Sequence, residues 1–286
     1  MHSTMAGWGN GLLGVLIFSG SLPATRVAVG EFNPLFLTSA RAVIAALLGM
    51  ALLLLLRQTR PARTDLGSLA IVAIGVVIGF PLLTALALQH ITAAHSVVFI
   101  GLLPLSTALF GVLRGSERPR PAFWVFSVAG SLLVAGFALT KGSSASLTGD
   151  VLMVAAIILC GLGYAEGAAL SRRMGGWQVI SWALILSLPV TAGFALWSLP
   201  AVWTGIDASA WIGFGYVSTF SMLIGFVFWY RGLAIGGIAG VGQLQLLQPF
   251  FGLLLASLLL SEPITWPMIA VTVLVVGCVS GAKRFA

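Results

Sequence analysis

Charge is what this sequence has least of. Only 7% of its 286 residues are Asp, Glu, Lys or Arg, against roughly a quarter in a soluble domain, so most of its surface cannot face water. Cysteine is scarce too. Cys160 and Cys278 both lie in apolar stretches with no CxxC or CxxxH neighbourhood, which argues against a metal or redox motif and for simple helix packing. Neither Gly-x-Ser-x-Gly, His-Glu-x-x-His nor a Gly-rich loop with a Walker lysine occurs, so no catalytic residue, metal or cofactor is expected, and this chain alone should not drive transport with ATP. The net charge of +7 comes without a basic run or aromatic-basic interleaving, so no nucleic-acid partner is expected. Met1 to Asn10 carries no Lys or Arg, unlike a secretory leader, and the first apolar segment reads as a retained helix.

What the sequence has is apolar length: 59% of residues are hydrophobic and 35 are glycine, a composition suited to helices packed closely in lipid. A bilayer core about 30 Å thick takes about 20 helical residues to cross. Runs of that length predict ten spans, at 8–28, 33–56, 66–88, 92–113, 121–140, 148–170, 178–198, 208–230, 236–260 and 264–282. Short connections join them, with turn chemistry such as Asn33-Pro34, Arg60-Pro61, Gly142-Ser143-Ser144 and Ser261-Glu262-Pro263. Arg57, Arg60, Arg63, Arg114, Arg118, Arg120, Arg172, Arg173, Arg231, Lys283 and Arg284 fall on one side of this arrangement, eleven of the fourteen basic residues. The positive-inside rule then puts both termini in the cytoplasm.

The chain also repeats itself. Shifted by 145 residues, Leu88 to Glu117 aligns with Leu233 to Glu262, and Leu88/Leu233, Ala94/Ala239, Leu102/Leu247, Pro104/Pro249, Leu109/Leu254, Leu113/Leu258, Ser116/Ser261 and Glu117/Glu262 are identical pairs. Leucine matches are cheap in such a chain; a mid-helix proline and a terminal Ser-Glu recurring at one offset are not. Five spans per half force the halves, 8–140 and 148–282, into opposite orientations. The expected fold is all-α integral membrane, with ten transmembrane helices as two inverted five-helix repeats, an architecture that suits alternating access.

These residues resemble the drug/metabolite transporter superfamily in its ten-helix form with two EamA-type repeats. Pro34-Leu35-Phe36-Leu37-Thr38-Ser39-Ala40-Arg41 is similar to that family's Pro-then-Arg signature. The stretches from Ala87 through Pro104 to Glu117, and from Gly232 through Pro249 to Glu262-Pro263, are similar to its repeated core. The resemblance implies export of small metabolites across a bacterial inner membrane, through a cavity lined by the first, third, fourth, sixth, eighth and ninth helices. Within the superfamily the aromatic amino-acid exporters are the nearest group.

Polar side chains inside lipid are costly, so each one is a candidate site. Gln245 and Gln248 lie three apart, on one helical face next to Pro249, whose ring loosens the preceding turn; interhelical hydrogen bonding is their plain alternative. Gln243 points to a different face. His95 and Phe99, four apart, offer an ionisable ring and an aromatic wall. Tyr164 and Glu166 sit in the sixth span, where Arg172 or Arg173 could neutralise the acid. Arg41 could hold a carboxylate, though a helix-to-helix or headgroup role fits better. Ser21 and Pro23, with Ser19 and Gly20, form a small-residue break. Trp229 and Tyr230 beside Arg231 read as a membrane-interface belt first and a cavity wall second. Pro23, Pro104 and Pro249 are the expected hinges.

Together these readings predict a secondary carrier, a monomer or homodimer in the lipid bilayer, for a small-molecule substrate such as an aromatic or other neutral amino acid or a related metabolite. The alternatives are a multidrug or nucleoside exporter or, from other classes, a membrane-embedded lipid-modifying enzyme, a channel or a scaffold. Paired His or carboxylates at one interface, which such an enzyme wants, are missing from the sequence.

Overall fold

The computed structural model describes residues 2–87, 90–91, 96, 99–139, 146–260 and 266–286, and among them every regular element is helical. In chain order these are α1 (His2–Ser19), α2 (Ser21–Val29), α3 (Pro34–Leu55), α4 (Leu66–Val72), α5 (Phe80–Ala87), α6 (Leu103–Gly115) and α7 (Pro121–Leu139). There follow α8 (Leu147–Met174), α9 (Gly176–Trp197), α10 (Ala208–Tyr216), α11 (Gly225–Gly236), α12 (Ile238–Gly242), α13 (Gln248–Leu260) and α14 (Trp266–Phe285).

Seven described stretches are long and apolar enough to cross a membrane: Met5–Val29, Pro34–Leu55, Arg63–Ala87, Leu147–Met174, Gly176–Trp197, Ala208–Gly236 and Trp266–Phe285. The expected fourth, fifth and ninth spans are not among them, for physical reasons. The upstream part of the fourth runs through residues outside the described set, and its described helix, α6, opens with Pro104 in its first turn. The fifth is apolar but shorter over Pro121–Phe137. The ninth is interrupted: a 3-10 segment, Gln243–Leu247, separates α12 from α13, and Pro249 opens the second piece. The first span also breaks, at Gly20, where Pro23 removes a backbone donor.

Two spans carry a wide π-helical stretch that hydropathy does not reveal: Ala73–Gly79 between α4 and α5, and Val217–Ile224 between α10 and α11. They lie 144–145 residues apart, and the same register governs other boundaries. The pair α1–α2 covers residues 2–29 and α8 covers 147–174; α6 covers 103–115 and α13 covers 248–260; α7 begins at Pro121 and α14 at Trp266. The offset found in residue identities therefore recurs in helix boundaries. Where the sequences differ the geometry differs, since α8 runs unbroken with alanines at 165 and 168, the positions matching Gly20 and Pro23.

Glycine sets the helix contacts. Gly7 and Gly11 of α1 meet Gly232 and Gly236 of α11 so closely that a Cβ on Gly232 would lie 2.5 Å from the Gly11 nitrogen. Gly75 packs on α8, where its Cβ would lie 2.6 Å from the Leu159 carbonyl. Lipid supplies no hydrophobic drive between helices, so this backbone approach and its dispersion contacts hold them together. Gly232 and Gly236, four residues apart on α11, supply one side of this contact.

Charged groups gather where α4, α6, α8 and α12 begin or end. Arg114 pairs with Glu166 at 2.7 Å, Arg172 with Glu117 at 2.9 Å, and Arg173 with Asp65 at 3.0 Å. Elsewhere, Phe32, Phe36, Trp203, Trp211 and Phe214 form an aromatic cluster with ring centroids 5.1–6.1 Å apart. That cluster joins the Val29–Pro34 turn to the segment leading into α10.

Candidate functional site

Near the break in the first span, α11 comes against α1, and α8 packs on α11. Phe18 lies with its ring 5.1 Å from Phe226 and 6.2 Å from Trp229, and Tyr164 sits 6.0 Å and 5.5 Å from the same two rings. Phe226 and Trp229 are three apart and Tyr230 follows, so one turn of α11 presents all three. Trp229 and Tyr230 are fully buried. The interface-belt reading of this pair therefore gives way to the interior one: α1 crosses α11 through glycines, and Gly14 rests against the Trp229 backbone, so the indole lies inside the protein.

Polar groups line the same region. The Tyr230 hydroxyl donates to the Gly163 carbonyl at 3.2 Å. The Trp229 indole N–H is buried without an acceptor. Gln245 lies beside the Tyr164 hydroxyl, yet neither its carbonyl nor its amine forms a well-aligned hydrogen bond, and it is buried to 1% exposure. An unpartnered buried amide costs about 1–3 kcal/mol, a cost that a bound polar group would relieve.

The break in the first span holds a second set. Ser21 Oγ donates to Ser221 Oγ at 2.8 Å, Tyr216 donates to the Ile17 carbonyl at 2.7 Å, and the Gln248 amine reaches toward the Phe18 carbonyl at 3.5 Å. Ser221 belongs to the π-helical stretch and Tyr216 immediately precedes it, so the two irregular spans meet at their irregularities.

Of the expected site residues, Ser21, Tyr164, Trp229, Gln245 and Gln248 come together here. Gln245 and Gln248 do so differently from the one-face expectation, because the 3-10 winding turns Gln245 toward α8 and Gln248 toward α1. Phe99 is partly buried against the core. His95 lies outside the described residues, as does Glu262. Pro104 and Pro249 stand in the first turns of α6 and α13, each just after an irregular turn, and Pro23 lies just after the Gly20 break.

Glu166, two residues beyond Tyr164, faces elsewhere. Its Oε2 accepts from Arg114 and its Oε1 from the Ser68 hydroxyl at 2.5 Å, so both oxygens are engaged. The partner is Arg114, in the last turn of α6, while Arg173 takes Asp65 and Arg172 takes Glu117. Glu166→Gln should lower stability by about 1–3 kcal/mol, the cost of an impaired hydrogen bond, since the half-exposed arginine stays hydrated. Glu166→Gln combined with Arg114→Met should cost clearly less than the two separate losses added. Thermal unfolding in lipid nanodiscs measures both.

Sequence reasoning passed over Phe18, Tyr216, Ser221 and Phe226. Aromatics are common in membrane helices, and the only local sign was their three- and four-residue spacing to Trp229 and Phe220. It also gave Gln243 little weight, yet Gln243 is fully buried with neither amide atom partnered. In a 3-10 turn Gln243 shares a face with Leu246, which rests on Gly130 of α7. Ser127 and Ser131, on the same helix, are also buried without partners. The Arg41 Nε is buried without a hydrogen-bond partner, and no ion pair to this arginine is found among the described residues.

An apolar helical bundle with spans broken at the level of a buried polar and aromatic cluster defines a multi-pass membrane transporter. The chain belongs to the EamA-like transporter family, whose profile matches twice, over residues 5–140 and 147–281. It is 66% identical over 286 residues to the "Uncharacterized transporter YdeK" of Bacillus subtilis (strain 168), covering all of both chains. It is 26% identical over 257 residues to an "Uncharacterized transporter" of Archaeoglobus fulgidus, covering 87% of this chain and 88% of that one. A solved structure described only as "Crystal structure of protein" superposes with a TM-score of 0.80 over all of this chain and 99% of its own, at 20% identity. That likeness establishes the fold.

Proposed function

We propose that the chain is a secondary carrier that exports small organic metabolites, aromatic or other neutral amino acids first among them, across the bacterial inner membrane by alternating access. In this reading ten spans form two inverted five-helix repeats, 8–140 and 148–282, with both termini cytoplasmic. The 145-residue register shared by residue identities and helix boundaries supports the repeats. The one-sided gathering of arginines supports the orientation.

The observation that carries the substrate class is the make-up of the cluster around Tyr164. Aromatic walls from Phe18, Tyr164, Phe226 and Trp229 adjoin an unpartnered amide at Gln245 and an unpartnered indole N–H at Trp229. Neutral hydrogen-bonding groups inside aromatic walls suit a flat apolar side chain carried on a polar head of no net charge. Glu166 is held in its ion pair and supplies this cluster with no free charge.

The test is uptake of radiolabelled phenylalanine, tryptophan and threonine into liposomes holding the purified protein, with no gradient imposed. Saturable uptake of the aromatic pair above empty liposomes is expected. Uptake of threonine alone would overturn the aromatic reading, and uptake of none, with or without a proton gradient, would overturn the amino-acid reading.

A further inference from the structure

On the arginine-rich face the fourth and ninth spans are tied together by one carboxylate. Glu117 follows α6 at the turn where Ser116 takes a left-handed backbone. Its Oε1 accepts from the Ile238 amide and its Oε2 from the Ala239 amide, each at 2.7 Å. These are the first two residues of α12, whose opening amides have no partner within their own helix. Arg172, near the end of α8, reaches the same Oε1 at 2.9 Å and the Gly115 carbonyl at 3.3 Å. Below this knot the seam is tight: a Cβ on Gly111 would lie 3.3 Å from the Ile238 Cβ, and one on Gly115 would lie 2.6 Å from the Ile238 Cδ1. Ile238 is fully buried. Further along the seam Thr107 meets Gly242. A cavity of about 370 Å³, lined by Trp8, Glu117, Arg118, Gly237 and Lys283 among others, stands directly outside the knot.

We propose that Glu117 is the latch of a gate on the arginine-rich face: while it holds the start of α12, the fourth and ninth spans are closed there over the site, and its release lets them part. Gly237, with φ of +95°, is the pivot at the base of α12. The bonds are charge-assisted and strong, yet they lie beside an open cavity where water can replace them, so the latch can be undone. Glu117 is a positioning residue, remote from the aromatic cluster. This inference rests on the alternating-access reading, and part of its test needs no substrate.

The test uses Cys160→Ala/Cys278→Ala protein in nanodiscs, carrying either Thr107→Cys, buried along the seam, or Thr38→Cys, in the crevice between α3, α5 and α9. Labelling by a membrane-impermeant maleimide is timed. Glu117→Gln should speed labelling at residue 107 at least fivefold without speeding it at residue 38, and Arg118→Gln should change neither. Equal acceleration at both positions would mean general loosening and would overturn the gate, as would no change at residue 107. A second variant leaves Glu117 intact. Gly111→Cys with Ile238→Cys places two Cβ atoms near the ~3.5–4.5 Å disulfide range, and oxidation should abolish uptake until reductant is added. Full uptake by the cross-linked protein would overturn the gate, whereas failure of the unmodified protein to transport any substrate would strike the carrier reading and leave the labelling result standing.

Discussion

Gln245→Leu should make the protein more heat-stable and a worse carrier. The substitution keeps the volume of the side chain while removing an amide that is buried to 1% exposure with neither atom well bonded. Eliminating such a group returns about 1–3 kcal/mol to the unliganded protein, so the unfolding midpoint in nanodiscs should rise. In the proposed carrier this amide bonds the substrate, so saturable uptake should fall at least about tenfold, which is ~1.4 kcal/mol. Opposite signs in the two measurements identify a residue kept for binding. A residue kept for packing would lose stability and transport together. Trp229→Phe is the companion: it retains an aromatic wall while deleting the indole N–H, and should weaken apparent affinity with a smaller effect on stability, because a ring still fills part of the space against Phe18 and Tyr164.

Gly232→Val should prevent the protein from assembling at all. A Cβ at this position would stand 2.5 Å and 2.7 Å from the Gly11 nitrogen and Cα. Backbone cannot yield as a flexible side chain can, so α1 would be forced off α11. That separation would break the contact of Gly14 with Trp229 and of Phe18 with Phe226, dismantling the candidate site along with the fold. Overpacking a tight core costs about 1–3 kcal/mol or more, and here two neighbouring methyl groups are added beyond the clashing Cβ. Loss of monodisperse protein in size-exclusion chromatography is the expected result. Gly9→Val, on α1 with nothing within 4 Å of its Cβ, should behave as unmodified protein. A Gly232→Val protein that purified and transported normally would remove the case for glycine-mediated contact between these spans.

Much of the architecture was legible in the residues. Apolar runs located the seven described spans to within six positions, because the cost of exposing a peptide group or a charge to lipid is paid locally, residue by residue. The 145-residue spacing of Pro104 and Pro249, expected in the middle of their spans, recurs instead at the starts of two 13-residue helices, α6 and α13. Hydropathy could not reveal the π-helical stretches at 73–79 and 217–224 or the 3-10 winding at 243–247. Those change how residues already inside a span face their neighbours, and leave its mean hydropathy untouched. The 3-10 turn is why Gln245 and Gln248 part company and why Gln243, given little weight from sequence, is wholly buried.

Composition and spacing along the chain are enough to specify a helical membrane protein, its arginine-rich face and its internal register. Which polar groups find partners depends on the folded arrangement of distant helices. Arg114 reaches Glu166 across 52 residues, Arg172 reaches Glu117 across 55, and Glu117 caps amides 121 and 122 residues away. It also drew Trp229 and Tyr230 out of the expected interface and into the interior through the glycine crossing of α1 and α11. A hydrogen bond acts over about 3 Å, and no pattern in neighbouring residues reports which distant group the folded chain will bring that close.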